Sequence, residues 1–142
     1  MSTQPTPGVV MTALSRPAFK VQLSHEPSSV QISTEAPRDN GGTGSSFSPT
    51  DLVGAALASC ALTTMALVAS REGIVFGEAK ARVEKRMSPP PRRIAELVLE
   101  IQMPSGLSPE QRTHLEEIAR TCPVSRSLHP DVSLPIQFVY GD

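Results

Sequence analysis

Two cysteines, Cys60 and Cys122, are the side chains in this 142-residue chain best suited to covalent chemistry. A thiol attacks as its thiolate, and at an unperturbed pKa of ~8.5 only about 3% is ionised at pH 7. Cys60 lies in the apolar run Leu57-Ala58-Ser59-Cys60-Ala61-Leu62. There the plain reading is inert packing, because free cysteine is among the most buried residue types. Burial alone raises a thiol pKa, so a reactive Cys60 needs a cation or hydrogen-bond donors from elsewhere in the fold. Cys122 precedes Pro123, where a new helix can begin and its N-terminal dipole can favour a thiolate. The two lie 62 positions apart. That spacing is neither a CxxC redox motif nor a zinc motif, and with His114 or His129 it makes only a weak metal set. A disulfide between them is left open.

The elements that must position these thiols follow from patterning. Phe19, Val21 and Leu23 alternate with polar residues, a turn surrounds Pro27, and Val30 and Ile32 resume the alternation. That is a β-hairpin. Residues 36–47 are loop-like in composition, with Arg38 and Asp39 embedded. A helix then begins with Ser48 as N-cap, Pro49 at the first helical position and Asp51 complementing the dipole. It runs to about Arg71 without a charge between Asp51 and Arg71, and its apolar and small side chains fall on every face, which predicts a helix buried all round. Its length approaches that of a membrane span, but the many Ala, Ser and Thr residues and the lack of flanking Trp or Tyr favour a central helix wrapped by sheet.

Two further alternating segments follow, 79–87 and 95–101, broken by Pro89, Pro90 and Pro91, and they predict an antiparallel hairpin with one wet face. Ser108, Pro109, Glu110 and Gln111 form a capping box ahead of the stripe Leu115, Ile118, Ala119 and Cys122. Pro123 stops that helix and starts a short one through Leu128, and 132–140 alternates as a final strand. The class is α+β, one domain over 1–142, with residues 1–10 expected to be flexible. One small sheet cannot cover an apolar helix of this kind in so short a chain, so an intimate homodimer is expected.

A formal net charge of −1 provides no field that recruits nucleic acid or an anionic membrane. Basic residues on the 79–87 strand interleave with Glu78 and Glu84 and have no aromatic stacking platform beside them. The N-terminus lacks a secretion signal's basic start and apolar centre, so a cytoplasmic location is expected. In such a compartment two cysteines are less suited to a structural staple than in a small secreted domain, which opens the question of chemistry.

The stretch Gly44-Ser45-Ser46-Phe47-Ser48-Pro49-Thr50-Asp51-Leu52-Val53-Gly54-Ala55-Ala56-Leu57-Ala58-Ser59-Cys60 resembles the central-helix motif of the OsmC/Ohr family, and Cys122-Pro123-Val124-Ser125 resembles its second motif. With the order of elements, the resemblance spans about Pro17 to Tyr140. It implies an antiparallel sheet packed around a long central helix, built as an intertwined homodimer with active sites at the subunit interface. It also implies a thiol peroxidase. Cys60 attacks an organic hydroperoxide and becomes a sulfenic acid, Cys122 condenses with it to a disulfide, and an external dithiol reduces the pair. In the Ohr branch that reductant is a protein-bound lipoyl group. No cofactor or metal is implied.

In the peroxidase branches a Glu ten residues before the reactive cysteine pairs with an Arg that contacts the thiolate, whereas this chain has Thr50 there. Asp51 is adjacent, but on an ideal helix it lies about 180° from Cys60 and roughly 13 Å along the axis, so it cannot serve Cys60 within its own chain. It could do so across a dimer, or act as a helix N-terminal charge. Arg38 sits roughly where the OsmC branch supplies its Arg, Arg126 is a weaker candidate, and His129 reads as a surface residue. Thr63 and Thr64 could hydrogen-bond near Cys60. Phe47, Leu57 and Met65 are candidates for apolar walls that favour alkyl hydroperoxides. The competing expectation is an OsmC-fold redox-sensing or small-molecule-binding protein with little peroxidase activity.

Overall fold

The computed structural model describes residues 6–141. The described chain divides into two compact units, one ending at Thr50 and the other beginning at Asp51. Of the segment 1–10 expected to be flexible, residues 1–5 lie outside the described residues. Residues 6–10 are exposed and irregular, and the carbonyl of Val10 accepts a bond from the Glu26 amide.

The first unit is a three-stranded antiparallel meander of β1 (Met11–Arg16), β2 (Lys20–His25) and β3 (Gln31–Glu35). The expected hairpin is β2–β3, with Leu23 opposite Ile32. β1 is an additional strand on the outer edge, with Ala13 opposite Leu23. It leaves no burial signature because all six of its residues are exposed. After β3 comes a 3-10 turn, Arg38–Asn40, closed by Gly41 at φ 95°, a conformation glycine adopts without steric cost. Gly42 follows with no room for a side chain, because a Cβ there would overlap the Ala36 carbonyl.

In the second unit, α1 (Pro49–Arg71) packs on a sheet of β4 (Lys80–Met87), β5 (Ile94–Gln102) and β6 (Ile136–Val139), with α2 (Pro109–Arg120) and α3 (Pro123–Ser127) in the connection before β6. β4 and β5 form the expected antiparallel hairpin, with Val83 opposite Leu99. β6 instead joins β5 in parallel. A chain returning through two helices re-enters the sheet from the far end, whereas an antiparallel neighbour needs only a short turn. The expected strand 132–140 is reduced to four residues because Pro135 has no amide to donate. Its pairing nevertheless begins earlier, at Ser133 N–H to Ala95 O.

α1 buries one stripe, Gly54, Leu57, Ala61, Met65 and Ala69, at the 3–4-residue spacing of a single helix face. Expected to be buried all round, it leaves Ala56, Ser59, Thr63, Ala66, Leu67 and Ser70 exposed in one chain. Gly54 lets the helix come close to the sheet, since a Cβ there would sit 3.4 Å from a methyl of Leu97. The stripe meets Leu97, Leu99, Ile101 and Met103 of the sheet side and Leu115 and Ala119 of α2.

Candidate active site

The α2–α3 junction is fixed by its own chemistry. α2 opens on the expected capping box, in which the Ser108 hydroxyl accepts from the Gln111 amide and the Gln111 side chain accepts from the Ser108 amide. Pro123 disfavours helical backbone in the residue before it, and Cys122 is extended at φ −68°, ψ 159°, as the N-cap of α3. The Cys122 carbonyl accepts the Arg126 amide at 3.1 Å and the Ser125 hydroxyl at 2.8 Å. The turn is thereby closed around a thiol that is completely buried.

Both cysteines are free thiols, and the fold brings them together. The Cys60 sulfur, half-buried on α1, lies within hydrogen-bonding reach of the Cys122 thiol, the Val124 amide and Thr64, whose hydroxyl oxygen is 3.7 Å away. Burial pushes the Cys60 thiol up, but the Val124 N–H, the Cys122 S–H and the Thr64 O–H together outweigh it and hold its pKa below the usual thiol value. The N-terminus of α3 thus supplies a donor to Cys60. Val124 occupies the second position of α3, where an amide has no partner inside the helix, and the Cys122 side chain makes no capping bond to α3. The sequence marked where α3 begins, but not which sulfur its amides face. Thr64, one turn after Cys60, was visible as a candidate; Thr63 is exposed.

Asp51 is paired within its own unit. Its Oδ1 lies 2.8 Å from the Lys85 ammonium of β4. Lys85 shares strand parity with Ala81, Val83 and Met87, so its side chain falls on the covered face, and it is only 15% exposed. That parity was the signal for this pair. In the first unit, the Arg38 guanidinium donates to the Thr43 carbonyl at 3.3–3.4 Å. The same loop is anchored by Glu35, a buried carboxylate that accepts from the Thr43 hydroxyl at 3.0 Å, the Ser45 hydroxyl at 2.6 Å and the Ser45 amide. The Ser45 hydroxyl contributes most to holding its pKa below the ordinary carboxylate value. The Thr50 hydroxyl lies 3.3 Å from that of Ser48. Arg126 and His129 are exposed. Met65 is fully buried in the core, while Leu57 borders a cavity of about 140 Å³.

In this α+β fold two free thiols meet where a long helix faces the start of a short one. The OsmC-like protein family matches residues 42–136, and the chain belongs to that family. It is similar over 98% of its length, at 32% identity and a TM-score of 0.86, to all of a protein from Psychrobacter arcticus 273-4 described as an osmotic stress induced and detoxification response protein. An OsmC-like protein from Mycoplasma pneumoniae shares the fold at 18% identity, with a TM-score of 0.79 and coverage of 94% of this chain and 97% of that one. An organic hydroperoxide resistance protein OsmC from Legionella pneumophila shares it at 18% identity and a TM-score of 0.76, over 95% and 98% of the two chains. The curated proteins offer no match.

Proposed function

We propose that the chain, as one OsmC-like domain, is a thiol-dependent peroxidase acting on organic hydroperoxides. The observation that carries this reading is the meeting of two free thiols, Cys60 and Cys122, with the Thr64 hydroxyl 3.7 Å from the Cys60 sulfur. The Cys60 thiolate attacks the peroxide oxygen, the O–O bond breaks, and the departing alkoxide takes a proton, leaving a Cys60 sulfenic acid and an alcohol. The Cys122 sulfur then displaces hydroxide from that sulfenic acid. This forms the Cys60–Cys122 disulfide and water, and an external dithiol, such as a lipoyl group, returns both thiols.

A homodimer in the cytoplasm completes the reading. The uncovered face of α1 and the exposed apolar residues of the first unit, among them Leu14, Phe19 and Ile32, support a second copy as their cover. Arg38 is kept as the cation that would reinforce the Cys60 thiolate. Asp51 is the lesser candidate because it is paired with Lys85.

A second reading, an OsmC-fold redox sensor or small-molecule binder with little peroxidase activity, is favoured by Thr50 standing where the peroxidase branches carry Glu. One experiment separates the two. One equivalent of cumene hydroperoxide is added to the reduced protein, to Cys60→Ser and to Cys122→Ser, and thiol loss is followed by mass spectrometry. The peroxidase gives a fast intramolecular disulfide in the wild type, a trappable sulfenic acid in Cys122→Ser and no reaction in Cys60→Ser. Oxidation no faster than that of free cysteine would leave the sensor or binder reading standing.

A further inference from the structure

A half-open cleft of about 140 Å³ lies in the second unit, and neither cysteine lines it. Its walls are apolar and come from separate elements, Leu57 of α1, Leu99 of β5, Ala119 of α2 and Ile136 of β6. Two polar residues, Arg120 and Ser125, stand on the α2–α3 side. A space of ~150 Å³ is large enough for a benzene ring. The space therefore suits a single six-membered ring or a short branched alkyl group.

The polar side selects the rest of the ligand. The Ser125 hydroxyl is committed to the Cys122 carbonyl at 2.8 Å and the Arg120 carbonyl at 3.1 Å, so it has no proton left to offer. Arg120 does. Its guanidinium lies over the Phe138 ring, 5.1 Å from the centroid, which orients the plane without consuming its N–H donors. No carboxylate among the described residues pairs with it. Its side chain is exposed, so an anion bound there stays hydrated at the rim while the apolar body is buried. A planar fork of N–H groups matches a carboxylate in a bidentate manner.

We propose that this cavity is a binding site for a compact apolar monocarboxylate, with the ring or branched alkyl group among Leu57, Leu99 and Ile136 and the carboxylate on Arg120. The site is built within one chain and does not depend on the peroxide chemistry.

The test titrates the full-length reduced protein with cyclohexanecarboxylate, with neutral cyclohexylmethanol and with acetate, reading leucine and isoleucine methyl resonances and thermal stability. Cyclohexanecarboxylate is expected to saturate with shifts at the Leu57, Leu99 and Ile136 methyls and to raise the unfolding temperature. Acetate is expected to do neither. Arg120→Gln, a change at an exposed position, should weaken the carboxylate about tenfold, the usual scale for a charge-assisted contact, and leave the alcohol unchanged. Ala119→Leu should exclude both by filling the cavity. If that variant does not fold, the carboxylate-to-alcohol ratio in Arg120→Gln decides alone. Acetate binding as tightly as the ring acid, equal loss of both ligands in Arg120→Gln, or no saturable methyl shift would each overturn the proposal.

Discussion

The two units bury opposite kinds of residue. In residues 51–142 the fully buried side chains include Ala61, Met65, Leu97, Ile101 and Leu115, an apolar core between α1, α2 and one face of a sheet. In residues 1–50 the buried side chains among the described residues are Thr34, Glu35 and Ser48, all polar, while Leu14, Phe19 and Ile32 are 54%, 71% and 50% exposed. The second unit is thus stabilised by burial. The first is held by its backbone ladder and by hydrogen bonds to Glu35, and a small sheet whose large apolar side chains stay mostly exposed is marginal in water. The thiol pair stands in the unit that has a core, where a 3.7 Å contact such as Cys60 to Thr64 can be kept in place.

Truncation of one apolar residue in each unit tests this contrast and carries the largest effect. Leu115→Ala removes a completely buried side chain and should cost about 2–5 kcal/mol in urea unfolding, whatever the protein concentration. Ile32→Ala should stay within about 0.5 kcal/mol of wild type in dilute protein, as an exposed position does. It should become more costly as concentration rises, because the proposed second copy buries that face. Equal, concentration-independent losses in the two variants would break the comparison.

The polar anchor of the first unit gives the next largest effects. Gly42→Ala forces a methyl onto the Ala36 carbonyl, and its cost should exceed about 1 kcal/mol, confined to the loop and read as faster amide exchange at Ser45. Glu35 supplies a pH dependence. Its folded pKa lies below the ordinary 4.5, chiefly through the Ser45 hydroxyl bond. Its stabilisation is therefore fully present above about 4.5 and is lost as pH falls through the lower folded value. Glu35→Gln should flatten the acid limb of Ser45 exchange while leaving α1 exchange unchanged.

How much of this was readable follows the same division. Start signals and a long uncharged run located α1, while the 3.6-residue period located α2 and the two-residue period β4 and β5, because the apolar faces of these three meet a core within the chain. β1 was missed, since a strand exposed along its whole length has no apolar alternation to read. The α1 stripe was overestimated for the converse reason. Its outer face is also small and apolar, and composition does not distinguish a face covered by the same chain from one left for a partner. Cys60 and Cys122 were legible as residues, but their partnership came from the family resemblance and not from their spacing. That Val124 directs its amide to Cys60 depends on how α3 docks on α1, a tertiary relation that no local spacing encodes.

The smallest effect decides what Asp51 does. Its pair with Lys85 is 2.8 Å long, with the carboxylate 40% and the ammonium 15% exposed. An ion pair in that setting contributes about 0.2–1 kcal/mol, and Asp51 adds a similar amount through the α1 dipole. A double-mutant cycle with Asp51→Asn and Lys85→Met isolates the pair, whose coupling should shrink in high salt by screening. If Lys85 is the principal partner, Asp51→Asn alters stability by this small amount and leaves the pH midpoint of Cys60 alkylation where it was, since the donors to Cys60 are Val124, Cys122 and Thr64. Thr64→Val, by contrast, removes a donor and should move that midpoint upward. A shift of the midpoint in Asp51→Asn as large as in Thr64→Val would instead place this carboxylate in the thiol site, reached across a subunit boundary rather than along its own helix.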